Sequence, residues 1–194
     1  MRTAKGKGLF SLLLCLMAAP ALVQASAVRH MNLDALVENS GAIFRGTVTG
    51  IESGTVTVGG KEMPTTTYLF KVGEMFKGEP TAVRNGEQFL AVTMIGSRKQ
   101  QAASGPIVRL NVLRDIPRLE TGSEYLLFTT VESSAGLSVT VGLAQGCFDI
   151  LGGMALNRAG NAGLFQGMQG GAPSQGPIAY RDLAARIRTS LTSQ

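Results

Sequence analysis

Runs of alternating apolar and polar residues, separated by turn residues and with no helix between them, recur from residue 42 to residue 150. Side chains of an extended chain point to opposite faces in turn, so this pattern requires strands with one buried face. In "AIFRGTVTGIESG", Phe44, Gly46 and Val48 oppose Arg45, Thr47 and Thr49. A turn at Gly59-Gly60 leads to a long strand over 65–76. There "YLFKVGEMFKGEP" keeps Tyr68, Phe70, Val72 and Phe76 in step but sets Glu74 on the apolar face. Phe89, Ala91, Thr93 and Ile95 form one face of a further strand. Tyr125, Leu127, Thr129 and Val131 form that of another, opened by Thr121-Gly122-Ser123. Leu137, Val139 and Val141 alternate most cleanly and, across a turn at 133–136, are expected to pair with the preceding strand as a hairpin. Residues 147–150 continue the sheet.

Closely spaced strands without crossover helices point to an antiparallel barrel or sandwich rather than a parallel α/β sheet, and a barrel is the expectation. Closing five or six strands needs sharp bends, which Gly46, Gly50 and the Gly73-Glu74 step supply. A bend or bulge is therefore expected to turn Glu74 outward into solvent beside Lys77, with Phe76 returning to the core. Gly78 then lets the chain turn toward Pro80. Phe44, Val48, Tyr68, Phe70, Val72, Leu127, Val139 and Phe148 are expected to share one core.

Two helices flank this mainly β fold. Asn32 can cap a short helix in which Leu33, Leu36 and Val37 share a face, with Ser40-Gly41 ending it. From Pro177 a last helix carries Ile178, Leu183, Ile187 and Leu191 near one stripe, which favours docking on the protein over lying on a membrane. Between them, residues 152–176 are rich in Gly, Asn and Gln and read as a flexible surface excursion, with Leu156, Leu164, Phe165 and Met168 as the residues that could pin it to the barrel in places. The expected division is a leader over 1–25, a barrel domain over 26–151, a Gly-rich loop over 152–176, and a helix and tail over 177–194.

The leader is a signal peptide: Arg2, Lys5 and Lys7 precede an apolar stretch over 9–23 with small residues at Ala25 and Ala27, and cleavage is expected after either. Export to the periplasm or the exterior follows. No later apolar run approaches the roughly 20 residues of a membrane span, so no stable insertion is expected. The whole chain carries eighteen Lys and Arg against thirteen Asp and Glu, a net charge of +5. Removing the leader takes away three of those cations and leaves about +2. The rest are scattered without interleaved aromatics, so no nucleic-acid role is expected. Cys15 leaves with the leader, and Cys147 alone cannot form an intrachain disulfide.

Catalytic chemistry finds little purchase. His30, the single histidine, lies near the mature terminus, and Cys147 sits beside Phe148 in a strand, which favours an inert thiol. No Gly-x-Ser-x-Gly elbow occurs. One His and one Cys so far apart lack zinc-type spacing, and no cofactor is expected. Glu52, Glu62, Glu74, Glu79, Asp115 and Glu120 remain carboxylates that could converge only in space. "GTVTVGGKEMP" resembles a phosphate loop, but Glu62 stands where magnesium needs a hydroxyl and Pro64 opens a strand rather than a helix, so a hairpin turn fits it better.

Four segments in order resemble the netrin-like module, the OB-type barrel of tissue inhibitors of metalloproteinases, over roughly residues 32–151. They are "SGAIFRGTVTGI" after a short helix, "TTTYLFKVGEMFKG", "LETGSEYLLF" and "LSVTVGLAQGCFDI". The resemblance implies a scaffold with a binding edge at residues 26–31 and the polar loop 96–105. Ser26, Val28, His30, Arg98 and Lys99 are its candidate contacts. In those inhibitors an N-terminal cysteine reaches the protease zinc, whereas this mature chain would begin at Ser26 or Val28. The expected function is therefore a non-enzymatic binding module for another exported protein. Protease inhibition through the N-terminal edge is the second reading, and a hydrolase using converging carboxylates the third.

Overall fold

Most of the alternating runs do become strands, within a set of eight, in a computed structural model that describes residues 30–96, 116–168 and 175–193. They are β1 (Ala42–Val58), β2 (Lys61–Lys77), β3 (Ala82–Arg84), β4 (Glu87–Ile95), β5 (Glu124–Thr129), β6 (Cys147–Leu151), β7 (Met154–Asn157) and β8 (Ile178–Ala179). Helix α1 covers Leu33–Glu38 and helix α2 covers Tyr180–Thr192. All ladders are antiparallel, in the order β3-β4-β2-β1-β5-β6-β7-β8.

The sheet is open: no ladder joins β8 to β3 among the described residues, so it does not close into the expected barrel. Its two faces explain why. On one side of β1 and β5, Phe44, Tyr125 and Leu127 join Val48, Tyr68, Phe70, Val72, Val92, Met94 and Cys147 in a first core. On the other side Ile43, Leu126 and Phe128 join Phe148, Leu33, Leu36, Val37, Leu164, Leu183 and Ile187 in a second. A strand apolar on both faces must be covered on both. β6 and β7 therefore curl toward the helices rather than back to β3. Phe148 belongs to the second core, not to the first as expected, and Val139 is only half-buried. In β4, Phe89, Ala91, Thr93 and Ile95 do share one face, half-buried, and Leu90, Val92 and Met94 on the other face the core.

Bulges bend the long β1–β2 pair where glycine and Glu74 interrupt the pattern. The register passes from Arg45 opposite Glu74 to Gly46 opposite Val72, leaving Gly73 as an extra residue. Phe76 and, on β1, Thr49 are extra in the same way. Each bulge re-aims the side chains beyond it. Met75 thus stays with the first core, Phe76 packs on the second, and Glu74 faces away from Phe44 beside Arg45. Gly78 ends the strand with φ +86°, and an added Cβ would lie 3.0 Å from the Ala42 Cβ.

Helix α1 begins as its sequence requires: the Asn32 side chain accepts from the Ala35 N–H at 2.9 Å, and Leu33, Leu36 and Val37 are fully buried. Helix α2 docks through Leu183 and Ile187, and the two helices meet where Ser190 Oγ donates to Asp34 Oδ1 at 2.6 Å. Within 152–168 the Gly-rich segment is not the flexible excursion that composition suggested. It carries β7, and Asn157 and Asn161 each accept the other's backbone N–H, at 2.7 and 2.8 Å. Leu164 and Phe165 are buried, and the Leu164 carbonyl accepts from the Leu33 N–H at 2.7 Å. The polar residues are there to lock the turns. Residues 1–25, the expected leader, lie outside the described residues, and among those described no helix is long and apolar enough to cross a membrane.

Candidate functional site

After β5 the chain does not form the expected hairpin strand over 137–141. Backbone partners for this stretch come from two directions instead. Thr140 bridges Thr129, and Thr130 N–H donates to the Val139 carbonyl at 2.9 Å, while the Ser138 N–H reaches across to the Thr93 carbonyl of β4 at 2.9 Å. Ser133 holds the tip, accepting on Oγ from the Leu137 N–H at 3.2 Å. A segment split between β5 and β4 cannot follow either as a regular ladder.

This loop forms one wall of a cleft of about 410 Å³. Met63 of β2, Ile95 of β4 and Ile116 line the opposite side, with Val131, Leu137, Val139 and Leu143 on the loop side and the hydroxyls of Thr130, Ser133 and Ser138 between. No charged or titratable side chain is among the described residues that line it. Such a wall holds apolar groups. Val131, 75% exposed, marks its rim.

The cleft runs on into a hairpin arm. Beyond Thr47, β1 has no ladder partner but β2 among the described residues, and β2 meets β4 only from Thr65 onward. The stretch 55–64 therefore forms a two-stranded ribbon without a core beneath it, turning at Gly59-Gly60 as the hairpin reading requires. The arm is nevertheless two-faced. Val56 opposes Met63 and Val58 opposes the Lys61 stem on the face that Met63 shares with the cleft; Thr55 with Pro64 and Thr57 with Glu62 occupy the other.

The expected binding edge lies elsewhere. His30 is exposed and lines a polar groove of about 750 Å³ beside α1 with Asn32, Glu38, Asn39 and Gln166. Met31 N–H donates to Gln145 Oε1 at 2.7 Å and fixes the chain entering α1. Ser26, Val28, Arg98 and Lys99 lie outside the described residues, as does most of loop 96–105. The structure therefore places one member of that edge, and away from the cleft.

Glu74 is not simply hydrated. Tyr180 Oη donates to Glu74 Oε2 at 2.5 Å, Arg188 pairs with its other oxygen, and Arg45 stacks 4.7 Å from the Tyr180 ring centre. Burial first, and then the Glu74 carboxylate, push the Tyr180 phenol above its ordinary range. A phenol held protonated is a donor, not a nucleophile. Lys77 likewise donates to the Val37 carbonyl at the end of α1, at 2.9 Å. Both side chains tie the helical layer to β2. Cys147 is fully buried, and desolvation pushes its thiol up to about 12. Among the described residues no three His, Cys, Asp or Glu side chains gather as a metal site.

Sequence reasoning did not single out Met63, Ile95, Val131 or Leu137 as a surface. The available signal was Val56, Val58 and Met63 in a hairpin whose neighbours offer nothing to bury them. No protein-family model matches the chain, and comparison with curated proteins finds no match.

Proposed function

We propose that this chain is an exported, non-enzymatic interaction module built on an OB-related sheet, and that the cleft and the apolar face of the arm are its binding surface. The observation that carries the reading is an apolar cleft of about 410 Å³, free of titratable groups among its described lining residues, continuous with an exposed arm. Contiguous exposed apolar surface on a folded chain marks an interaction site. The Ser138–Thr93 hydrogen bond, which links the loop after β5 to β4, supports an OB-like closure of the first core. So does the resemblance of four segments to the netrin-like module.

Affinity capture from the native envelope or secretion fluid tests this. Val131→Arg sits on an exposed position, so it should leave the unfolding midpoint unchanged and abolish capture of whatever the mature protein retains. Unchanged capture by a folded Val131→Arg protein would remove the cleft from the reading. Exposure of His30 beside the groove at α1 favours protease inhibition through the N-terminal edge as the second reading. In that case capture would return a metalloprotease, and His30→Ala rather than Val131→Arg would release it.

A further inference from the structure

We propose that the open edge of β1 pairs with the same edge of a second copy, so that two arms join about a two-fold axis into one four-stranded ribbon. β1 meets β5 only over Ala42–Thr47, and Val48 closes that side with backbone bonds to Gly122 and Ser123. From there to Val58 the outer edge of β1 has no backbone partner among the described residues. The turn fixes where its groups point. Gly59-Gly60 is a two-residue loop, so Val58 and Lys61 face each other as a hydrogen-bonded pair, and alternate positions along the unshifted register from Gly50 turn outward. Pro64 confirms the phase: it has no N–H to give Thr55 opposite, and its carbonyl accepts from the Gly96 N–H on the side away from β1, at 2.8 Å. Ile51, Ser53, Thr55 and Thr57 therefore hold four N–H and four C=O groups outward.

Folded chains blunt such an edge with proline, lysine, a bulge or a covering element. The β2 side of the arm has Pro64, whereas β1 from Gly50 to Val58 has no proline, lysine or register shift and ends in the strand formers Thr55-Val56-Thr57-Val58. A ribbon of two strands is marginal in water, and pairing raises the count to four. Charge selects a second copy over a foreign strand. With Thr55 on the axis, Ser53 pairs with Thr57 of the second copy and Glu52 stands opposite its Val58, as an isologous contact requires. Lys61 is the next residue in that row and on the same face. Glu52 of each copy thus lies two strand spacings, about 10 Å, from Lys61 of the other, a gap the two side chains can span. The two Glu52 residues, six positions apart along the pair, stay about 20 Å from each other. Both Glu52 and Lys61 are exposed, and neither is in an ion pair within its own chain among the described residues.

Sedimentation equilibrium of the mature protein should give a concentration-dependent dimer. Thr55→Pro removes the central outward N–H of both copies and no bond to β2, so it should weaken the dimer about tenfold or more while circular dichroism and the unfolding midpoint match the parent. Glu52→Lys and Lys61→Glu proteins should each dimerise about threefold or more weakly than the parent, because each sets like charges across the axis. An equal mixture of the two restores both opposite pairs and should form the heterodimer in preference to either homodimer. The proposal fails if the parent is monomeric at all accessible concentrations, if folded Thr55→Pro dimerises like the parent, or if the mixture shows no preference. A dimer lost on Val131→Arg but kept in Thr55→Pro would place the contact at the cleft and overturn it. A monomer whose captured partner is released by Thr55→Pro would make the occupant a foreign strand and overturn it too. Capture lost on Val131→Arg tests the cleft alone, so the cleft reading and the edge pairing can fail separately.

Discussion

Replacing Glu74 by Gln removes one charge and almost no volume, and the geometry around it fixes what should follow. Gln keeps one acceptor oxygen for Tyr180, so the bond survives in neutral form and loses its charge-assisted part. Hydrogen bonds to charged groups contribute about 1.5–3 kcal/mol and neutral ones about 1, so the loss at Tyr180 is roughly 1 kcal/mol. The Arg188 pair adds less, because the Arg188 side chain is 59% exposed and such pairs contribute about 0.2–1 kcal/mol. Together Glu74→Gln should destabilise by about 1–2 kcal/mol, lowering the urea midpoint with no change in slope. Tyr180→Phe should cost a similar amount, and the double variant should fall short of the sum by about 1 kcal/mol, because the two substitutions remove the same bond. A loss below about 0.3 kcal/mol, or strict additivity, would refute the view that Glu74 anchors α2 and restore it to the hydrated surface.

Phe70 is fully buried with its ring edge-on to Phe44 at 5.1 Å between centres, so Phe70→Ala should cost about 3–5 kcal/mol by urea unfolding. A Cβ on Gly146 would lie 2.3 Å from the Val141 carbonyl oxygen, a backbone atom that cannot step aside; Gly146→Ala should cost about 2 kcal/mol or more and reduce the yield of folded protein. Gly78→Val adds strain at φ +86° and should destabilise, whereas Val83→Ala on the exposed edge strand should stay within about 0.5 kcal/mol in the same assay. The Cys147 thiol keeps its proton in the folded state up to about pH 12, while the unfolded chain gives it up near the ordinary 9.0. Above pH 9 the unfolded state thus binds fewer protons, and stability should decline as pH rises. Tyr180 adds to the fall at higher pH still. The slope between pH 9 and 10 should flatten in Cys147→Ala, and an unchanged slope would contradict a buried thiol.

Strands, the helix opened by Asn32 and the docked C-terminal helix were legible because each is written in local periodicity. Bulges at Gly73 and Phe76 were half legible: the interruption at Glu74 announced a bend, but not the arginine and tyrosine that would meet it from residues 45, 180 and 188. Apolar residues on both faces of β1, β5 and β6 defeated a one-core reading. Period-two reasoning assigns one face to solvent, whereas a strand between two cores has no solvent face. Loop 130–141 alternates like a strand yet divides its hydrogen bonds between two neighbours, a division only tertiary placement decides. The cleft was illegible for the same reason, being assembled from β2, β4 and a loop with no shared motif.

Sharing β1 and β5 between two cores also sets the order in which the chain can mature. A polypeptide made N-terminus first presents α1 and β1 at once, yet the second core lacks Leu183 and Ile187 until α2 has been made, and Asp34 waits for Ser190. Until then Ile43, Leu126 and Phe128 face water, so an early intermediate is sticky and cannot lock. A truncation at residue 179 should accordingly give a protein that never leaves that waiting state, rather than a smaller domain.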